Sequence, residues 1–262
     1  MKKPKNRTQS FGKVYEKTIV SNIPPHLTKQ QVIAIPRLLA LKPRAKILDI
    51  GCGSGRHSIG LAKNSYKITG VDTSAHLIRL ARRDAQKMAL PNPPTFLRKN
   101  ILTLKTSNVF DGVISILSFG FSKHEKDHLA ILKNIARSLK KNRRILIATV
   151  YFPQIAKILE EVEIHKGTTV FARPDTKSLG NGVTETKQRS FDFKTMMHTV
   201  TTVLSRSKKI LGREESSVRV FTVPEIKQLF AASGLKIEKL YGDFDGSKLA
   251  AQSNRMIIVA KK

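Results

Sequence analysis

The chain has 262 residues, enough to bury a substantial core in one large domain or two small ones. Its formal net charge is +29, and its single cysteine, Cys52, excludes an internal disulfide and a cysteine-rich zinc site. No apolar run approaches the ~20 residues of a membrane helix, and the basic start of the chain lacks the apolar core of a secretion signal. We therefore expect a cytoplasmic protein without a membrane partner.

The positive charge is spread along the chain. The 48 lysines and arginines run from Lys2 to Lys262, with only short clusters such as KKNRR at residues 140–144. Aromatic residues, on which splayed bases stack, make up 6% of the chain. We interpret the charge as a solvated basic surface, so a nucleic-acid partner is not favoured; the alternative is a dedicated nucleic-acid patch.

The first 150 residues alternate between strand-like and helix-like segments. Residues 1–20 form a polar, basic leader, and SNIPPHLT at residues 21–28 is expected to break any helix. Strands are predicted at residues 45–50, 66–72, 95–99, 110–117 and 143–150, and helices at residues 56–63, 74–89 and 125–141. This alternation predicts a mainly parallel sheet covered by helices on both faces.

The pattern changes after residue 150. Residues 183–222 alternate between apolar and polar side chains and are divided by polar turns, which predicts a β-rich insertion. Residues 223–234 are typical of a helix that ends at a glycine, and residues 235–242 and 254–262 predict two last strands.

A glycine-rich turn, GCGSG at residues 51–55, lies between the first strand and the first of these helices. It is not a dinucleotide fingerprint, because the third position after Gly53 is Arg56, and it is not a phosphate-binding P-loop. One acidic residue, Asp49, lies in the first strand just before the turn, and a second, Asp72, closes the second strand 21 residues after Gly51. A carboxylate there can accept both hydroxyls of a ribose. The alternative is that Asp72 caps the helix that starts at Ser74.

These segments resemble the class I S-adenosylmethionine-dependent methyltransferases of small-molecule type. The resemblance is carried by ILDIGCGSGRH (residues 47–57), GVDTSAHLIRLAR (70–82), FLRKNILTL (96–104), FDGVISILSFGF (110–121), LKKNRRILIATV (139–150) and the closing segment from residue 221. It implies a doubly wound, mainly parallel seven-stranded Rossmann-like sheet with a β-rich insertion after strand five. We expect a leader at residues 1–39, a cofactor-binding core at 40–150, an insertion at 151–218 and completion of the core at 219–262.

The resemblance also implies which residues bind S-adenosylmethionine. The loop glycines would line its methionine end, Asp49 would hold the loop and the amino group, and Asp72 would accept the ribose hydroxyls. Adenine would be flanked by residues 100–101, and the methionine would be met by the end of strand four. Asn100 stands where many members carry Asp, and KKNRR where many carry Pro-Gly-Gly. The implied cofactor-binding residues are Asp49, Gly51, Cys52, Gly53, Gly55, Asp72, Thr73, Asn100, Ile101, Ser115 and Ile116.

The segment HEKDH at residues 124–128 matches the zinc metalloprotease signature in letters. We prefer a structural interpretation and expect no metal. In it, Ser122 and Glu125 form a capping box, and His128 joins the buried stripe of the helix. His124, Tyr15 and Tyr151 are candidates for the rim of the catalytic site, although packing is favoured for both tyrosines. In YGDFDGS, the two aspartates at positions 243 and 245 either polarise a substrate or cap a turn.

The function predicted is methyl transfer from S-adenosylmethionine to an N, O or C atom of a small molecule by in-line displacement. The insertion at residues 151–218 is expected to form a lid that selects the acceptor. The alternatives are an RNA or protein methyltransferase, suggested by the charge, and a catalytically inactive cofactor- or nucleic-acid-binding protein. The intact glycine loop with Asp49 and Asp72 argues against the inactive alternative.

Overall fold

The computed structural model describes residues 23–122, 124–153, 155, 162–207, 209–253 and 255–262. The elements before the β-rich region are α1 (Pro25–Leu38), β1 (Lys46–Ile50), α2 (Arg56–Lys63), β2 (Lys67–Asp72), α3 (Ala75–Lys87), β3 (Thr95–Arg98), a 3-10 helix (Ile101–Thr103), β4 (Phe110–Ile116), α4 (Glu125–Ser138) and β5 (Leu139–Thr149). The β-rich region comprises β6 (Val162–Lys166), β7 (Thr169–Ala172), β8 (Asp175–Gly180), β9 (Val183–Asp192), β10 (Met197–Arg206) and β11 (Lys209–Arg219). The chain then forms α5 (Val223–Ala232), β12 (Lys236–Tyr241) and β13 (Met256–Lys261).

The central sheet has seven strands in the order β3-β2-β1-β4-β5-β13-β12. The first five are parallel, and β13 is antiparallel to both β5 and β12. The strand order reverses between β1 and β4, which is where ligands bind in open α/β sheets. This architecture confirms the predicted mainly parallel, Rossmann-like sheet.

Both faces of the central sheet are buried, which explains why its strands are almost continuously apolar. Along β5, Ile145 and Ile147 pack in the cluster that includes side chains of α4 and α5. Leu146 and Ala148, which alternate with them, pack in the cluster that includes side chains of α1 and α2. The period of two along the strand thus gives one apolar residue to each layer in turn.

Helix α1 begins earlier than the sequence predicted. The segment SNIPPHLT was expected to break any helix, but α1 starts inside it at Pro25. Proline is tolerated in the first turn because the N–H that it lacks has no partner there in any case. Helix α1 also packs against α2, since Arg56 donates to Thr28 Oγ1 at 3.0 Å and to Gln31 Oε1 at 2.9 Å.

The predicted capping box at α4 is wrong. The N-cap is His124, without a capping hydrogen bond from its side chain, and the hydroxyl of Ser122 donates to Asp127 Oδ2 at 2.5 Å. The helix also ends at Ser138, so that the residues predicted as its last turn belong to β5. A capping box does form at α5, where Thr222 and Glu225 exchange side-chain and backbone hydrogen bonds.

The region between β5 and α5 forms a second, antiparallel sheet in the order β11-β10-β9-β7-β6, with β8 also paired to β9. Its strands begin at Val162, earlier than the predicted residue 183. Strand β8 escaped prediction because every residue in it is exposed, which leaves no apolar alternation to detect. A separate apolar cluster that includes Phe191 and Val220 packs the sheet. None of the described helices is long and apolar enough to span a membrane.

Candidate active site

The glycine-rich turn joins β1 to α2 at the carboxyl edge of the central sheet. Gly51, Gly53 and Gly55 have φ angles of +66°, +56° and +81°, a region that residues with a Cβ rarely adopt. A Cβ on Gly51 would lie 2.3 Å from Ser118 Cβ, so the strand-four loop needs a glycine there. A Cβ on Gly53 would meet no heavy atom of the described residues within 4 Å. The turn therefore leaves open space beside Gly53.

Asp72 ties this turn to the neighbouring helix. Its Oδ2 accepts a hydrogen bond from the Gly53 N–H at 3.0 Å, and its Oδ1 accepts from the Ser74 N–H at 2.8 Å. The N-cap of α3 is Ser74, whose Oγ accepts from the Leu77 N–H at 3.3 Å. Burial raises the pKa of Asp72, and the backbone N–H groups of the turn offset part of the rise.

A cavity of about 340 Å³ lies beside Asp72 at the carboxyl ends of β1, β2 and β4. It is lined by Ile50, Gly51, Gly53, Val71, Asp72, Thr73, Ser74, Leu77, Lys99, Asn100, Ile101, Leu102, Ser115, Leu117, Ser118, Phe119, Phe121, Ser122, Asp127 and Ile131. Seven of the predicted cofactor-binding residues are in this set: Gly51, Gly53, Asp72, Thr73, Asn100, Ile101 and Ser115.

The other four predicted residues do not line the cavity. Asp49 is buried behind the turn and accepts a 2.6 Å hydrogen bond from Ser58 Oγ. Cys52 is also buried, Gly55 is the N-cap of α2, and the side chain of Ile116 packs in the apolar cluster on the α1 and α2 side of the sheet. These positions shape the turn and the strand.

The electrostatics behind the turn are set by burial. Desolvation raises the pKa of Asp49 to about 6, although the Ser58 hydrogen bond and the Arg56 charge lower it. Burial, followed by the charges of Asp49 and Asp72, raises the pKa of the Cys52 thiol well above its usual range. The thiol is therefore protonated near neutral pH and is not poised as a nucleophile.

The residues predicted to flank adenine and to meet the methionine are held by short local contacts. Asn100 Oδ1 accepts from the Leu102 N–H at 2.9 Å and caps the 3-10 helix. The hydroxyls of Ser115 and Ser118 are 2.7 Å apart, and Ser118 donates to the Ile50 carbonyl at 2.7 Å. Ser118 therefore links the end of β1 to the end of β4.

The rim candidates lie in different environments. Tyr15 lies outside the described residues, and His124 is exposed at the start of α4 but does not line the cavity. Tyr151 forms a single parallel bridge with Phe221 and packs against the apolar core. His128 is buried with its ring edge-on to Phe119 and Phe221, as the buried-stripe interpretation predicted. The described residues contain no group of three or more potential metal ligands.

Sequence reasoning missed several lining residues that come from other elements. Ser118, Phe121 and Asp127 follow β4, and their positions depend on how the strand-four loop folds back over the glycine turn. The available signal was the polar-aromatic mixture SFGFS, directly after a buried strand that ends at the same edge. Asp127 lies within HEKDH and was not among the predicted site residues.

The aspartates of YGDFDGS serve a turn after β12. Asp243 Oδ1 accepts from the Phe244 N–H at 2.7 Å, and Asp245 Oδ1 accepts from the Ser247 N–H at 2.8 Å. Arg37 of α1 donates to the carbonyls of Phe244 and Asp245. Both carboxylates therefore stabilise the turn, as one of the two interpretations predicted.

Comparison with known proteins identifies the family to which this architecture belongs. Residues 41–214 match the family model described as a methyltransferase domain, and the chain belongs to this family. It is a class I S-adenosylmethionine-dependent methyltransferase, and S-adenosylmethionine is its cofactor.

Relatives and solved structures extend over nearly the whole chain. The candidate methyltransferase YqeM of Bacillus subtilis is 24% identical over 260 residues, which cover 97% of this chain and 96% of YqeM. The CcbJ methyltransferase of Streptomyces caelestis has a TM-score of 0.80 at 15% identity, with 98% and 99% of the two chains covered. CalS10 of Micromonospora echinaspora, an amino pentose methyltransferase solved with S-adenosylmethionine bound, has a TM-score of 0.67 at 19% identity, with 95% and 96% covered.

Proposed function

We propose that the chain transfers a methyl group from S-adenosylmethionine to an oxygen, nitrogen or carbon atom of a small molecule, by in-line displacement. The observation that carries the proposal is the Asp72 carboxylate, which bridges the glycine turn and the start of α3 at the wall of the cavity. An acidic side chain at this edge, next to a turn without side chains, suits a ligand with a ribose diol.

The residues present fit the cofactor. The Asp72 oxygens accept hydrogen bonds from the Gly53 and Ser74 N–H groups, and a carboxylate has enough acceptor sites to accept ribose hydroxyls as well. The open space beside Gly53 allows a ligand to approach the backbone closely. We propose direct contact for the lining residues Gly51, Gly53, Asp72, Thr73, Asn100, Ile101 and Ser115. For Asp49, Cys52, Gly55 and Ile116 we propose a supporting role.

When bound, S-adenosylmethionine supplies a sulfonium methyl group that needs no further activation. The contribution required of the chain is to align an acceptor with that methyl group and to exclude water. Leu117 and Phe121 suit this task because they are apolar side chains that line the cavity. They are 43% and 44% exposed and are therefore accessible to an acceptor. Asp127, which also lines the cavity, is available to take a proton from an alcohol or an ammonium acceptor.

A lid role for residues 151–218 is supported by contacts at the end of the second sheet, just beyond this range, which hold that end against the strand-four loop. The Arg219 N–H, at the end of β11, donates to the Gly120 carbonyl at 2.8 Å. Phe221, which follows that strand, stacks on Phe119 of the cavity wall with ring centroids 5.3 Å apart. We propose that the second sheet selects the acceptor. A small-molecule acceptor agrees with CalS10 and with the sugar N-methyltransferase KedS8, which has a TM-score of 0.61.

The experiment that tests the proposal uses S-adenosylmethionine labelled in its methyl group. The protein is incubated with a host extract separated into small molecules, RNA and protein, and we expect label in the small-molecule fraction. The Asp72→Ala variant is the control for transfer that depends on the proposed site. Label confined to RNA or protein would favour the alternative acceptors, and no label in any fraction would contradict catalysis.

A further inference from the structure

The amino edge of the central sheet, opposite the cavity, gathers basic residues from distant parts of the chain. Lys46 at the start of β1 lies opposite Lys67 at the start of β2. Further along the same edge, Arg144 of β5 lies opposite Lys261 of β13. Lys261 in turn lies opposite Lys236 at the start of β12. Because β13 runs antiparallel, its last residues reach the edge at which the other strands begin. Charges that are dispersed in the sequence thus become neighbours in the fold.

We define the amino-edge patch as the basic residues at the strand ends and connecting turns of this edge. They are Lys42, Arg44, Lys46, Lys67, Lys140, Lys141, Arg143, Arg144, Lys236, Lys261 and Lys262. The described carboxylates at these strand ends are Asp111 and Glu238, and both are already engaged. Asp111 pairs with Lys140 at 2.9 Å, and Glu238 pairs with Arg144.

A bulge in β5 pushes part of the patch outward. Phe110 pairs with Leu139 and Gly112 with Arg144, so that residues 140–143 loop around the single residue Asp111. Asn142 turns this loop at a φ of +62°, and its N–H donates to the Lys262 carbonyl. The bulge therefore joins the KKNRR cluster to the basic end of β13.

Much of this charge is not neutralised within the fold. Lys42, Arg44, Lys67, Lys141 and Lys236 are exposed, and no carboxylate of the described residues lies within ion-pair distance of them. The Arg144 hydrogen bond, with the charges of Lys261 and Lys236, holds the pKa of Glu238 below its usual range. The field of the patch thus acts on its own acidic residue, and an external anion would experience the same attraction.

We propose that the amino-edge patch binds the phosphate backbone of single-stranded RNA without sequence preference. Neighbouring strands are about 4.8 Å apart, so the six strands from β12 to β2 extend over roughly 24 Å, which spans several phosphates. Five of these strands supply basic residues, and the carboxylate of Asp111 at the start of β4 is paired with Lys140. A flexible single strand can follow such a row, whereas a rigid duplex would touch it at few points. The patch consists of lysines and arginines without aromatic side chains, so it lacks the means to read bases.

The surroundings of the patch favour RNA over a lipid bilayer. Peripheral membrane surfaces combine basic residues with aromatic or leucine side chains that enter the bilayer. Among the described residues, the large apolar side chain exposed beside this patch is Val109, which offers little area for insertion. An anionic vesicle is therefore the competing partner in the test.

The patch is remote from the proposed methyl-transfer site. Strands β1, β2 and β4 run from one edge to the other and have five to seven residues each. At ~3.3 Å per residue, the two edges are about 15–25 Å apart. Bound RNA would therefore leave the cavity open. The RNA would serve as a site at which the enzyme docks. RNA binding at the patch does not depend on which acceptor is methylated at the cavity.

The test measures fluorescence anisotropy of a labelled mixed-sequence RNA of about 20 nucleotides at KCl from about 50 to 300 mM. The patch variant is Lys67→Glu/Lys141→Glu/Lys236→Glu. The matched control is Lys177→Glu/Lys194→Glu/Lys209→Glu, which makes the same change of net charge at exposed positions of the second sheet. Affinity for S-adenosylhomocysteine is measured in both variants to show that the cofactor site is intact.

We expect micromolar RNA binding by the unmodified chain, weakened about 10- to 100-fold in the patch variant and less than about 3-fold in the control. The slope of log affinity against log salt should fall by about 2 in the patch variant, since each lost phosphate contact removes roughly 0.7. Equal weakening in the two variants would show that only the overall charge matters and would overturn the inference. Tighter binding to phosphatidylserine vesicles or to duplex DNA than to the RNA would also overturn it.

Discussion

Gly51 and Gly53 have similar backbone conformations but differ in what surrounds them. A side chain at Gly51 would collide with Ser118, whereas a side chain at Gly53 would enter open space beside the cavity. The first glycine is therefore required for the fold, and the second matters chiefly for a ligand that approaches the turn.

We predict that Gly53→Ala folds but binds S-adenosylhomocysteine at least ~10-fold more weakly. The positive φ costs about 1–2 kcal/mol for alanine, and the added methyl group occupies the space proposed for the ligand. Gly51→Ala should lower the melting temperature much further, and Ser118→Gly should restore part of that loss. Thermal melts and calorimetry measure both effects. Wild-type affinity in Gly53→Ala would place the ligand elsewhere.

The buried carboxylate of Asp49 predicts a pH dependence of stability. Its pKa is raised to about 6 by burial, so the folded state retains a proton that the unfolded state has already released. Stability is therefore lost as pH rises from the ordinary pKa of 3.8 through about 6, and it levels off above about pH 7.

We predict that the free energy of unfolding of the wild type falls by about 3 kcal/mol relative to Asp49→Asn between about pH 3 and 7. Asparagine keeps an oxygen that can accept the Ser58 hydroxyl, but it does not ionise. Urea unfolding of both proteins at several pH values measures the difference. A difference that is independent of pH would show that the carboxylate titrates as it does in the unfolded chain.

At the scale of residues, the sequence predicted the cavity residues that belong to local motifs. The glycine turn and Asp72 stand at a fixed spacing because one strand, one turn and one helix set their geometry. Ser118 and Asp127 could not be placed in the same way, since their contacts depend on a loop that returns from β4. Asp49 was recognisable as part of the motif, but its burial behind the turn becomes evident only in the fold.

At the scale of elements, the second sheet contacts the site through the end of β11 and the residues that follow it. It lies outside the segments that form the glycine turn and the Asp72 bridge, and its own apolar cluster packs it. We therefore expect it to be dispensable for cofactor binding but required for methyl transfer.

We predict that replacing residues 160–215 with a short linker abolishes methyl transfer and leaves affinity for S-adenosylhomocysteine within a few-fold. Circular dichroism and a melting curve establish that the shortened chain is folded. A point variant that keeps the sheet, Phe121→Ala, provides a second measurement and should lower the rate of transfer more than it lowers cofactor affinity. Lost cofactor binding in a folded, shortened chain would assign the second sheet to the cofactor site.

The elements themselves were predictable where both faces or one face of a strand are buried. The strands β1 to β4 and β13 agree closely with their apolar runs. The start of β5 did not, because KKNRR has no apolar pattern and is held in the strand by a bulge and by pairing with β13. The start of α4 at Glu125 also agrees with the prediction. Its predicted capping box was wrong, because Ser122 bonds to a carboxylate instead of a backbone N–H.

At the scale of the whole molecule, the central sheet separates the cavity from the basic patch. Its carboxyl edge carries the cavity, with Asp72 and the glycine turn, and its amino edge carries the basic patch. Net charge and spacing along the chain could not reveal this separation, since the patch is assembled by strand order and by the reversed direction of β13.

The central claim, that S-adenosylmethionine lies against the glycine turn and Asp72, is tested most directly by calorimetric titration of S-adenosylhomocysteine. We predict binding to the unmodified chain, with NAD(H) inert. The Asp72→Ala variant should bind ~10- to 100-fold more weakly, which is the scale of a lost charge-assisted hydrogen-bond pair. Because Asp72 also holds two backbone N–H groups, Asp72→Asn is measured beside it and should retain the melting temperature better. Undiminished affinity in both variants would contradict the account.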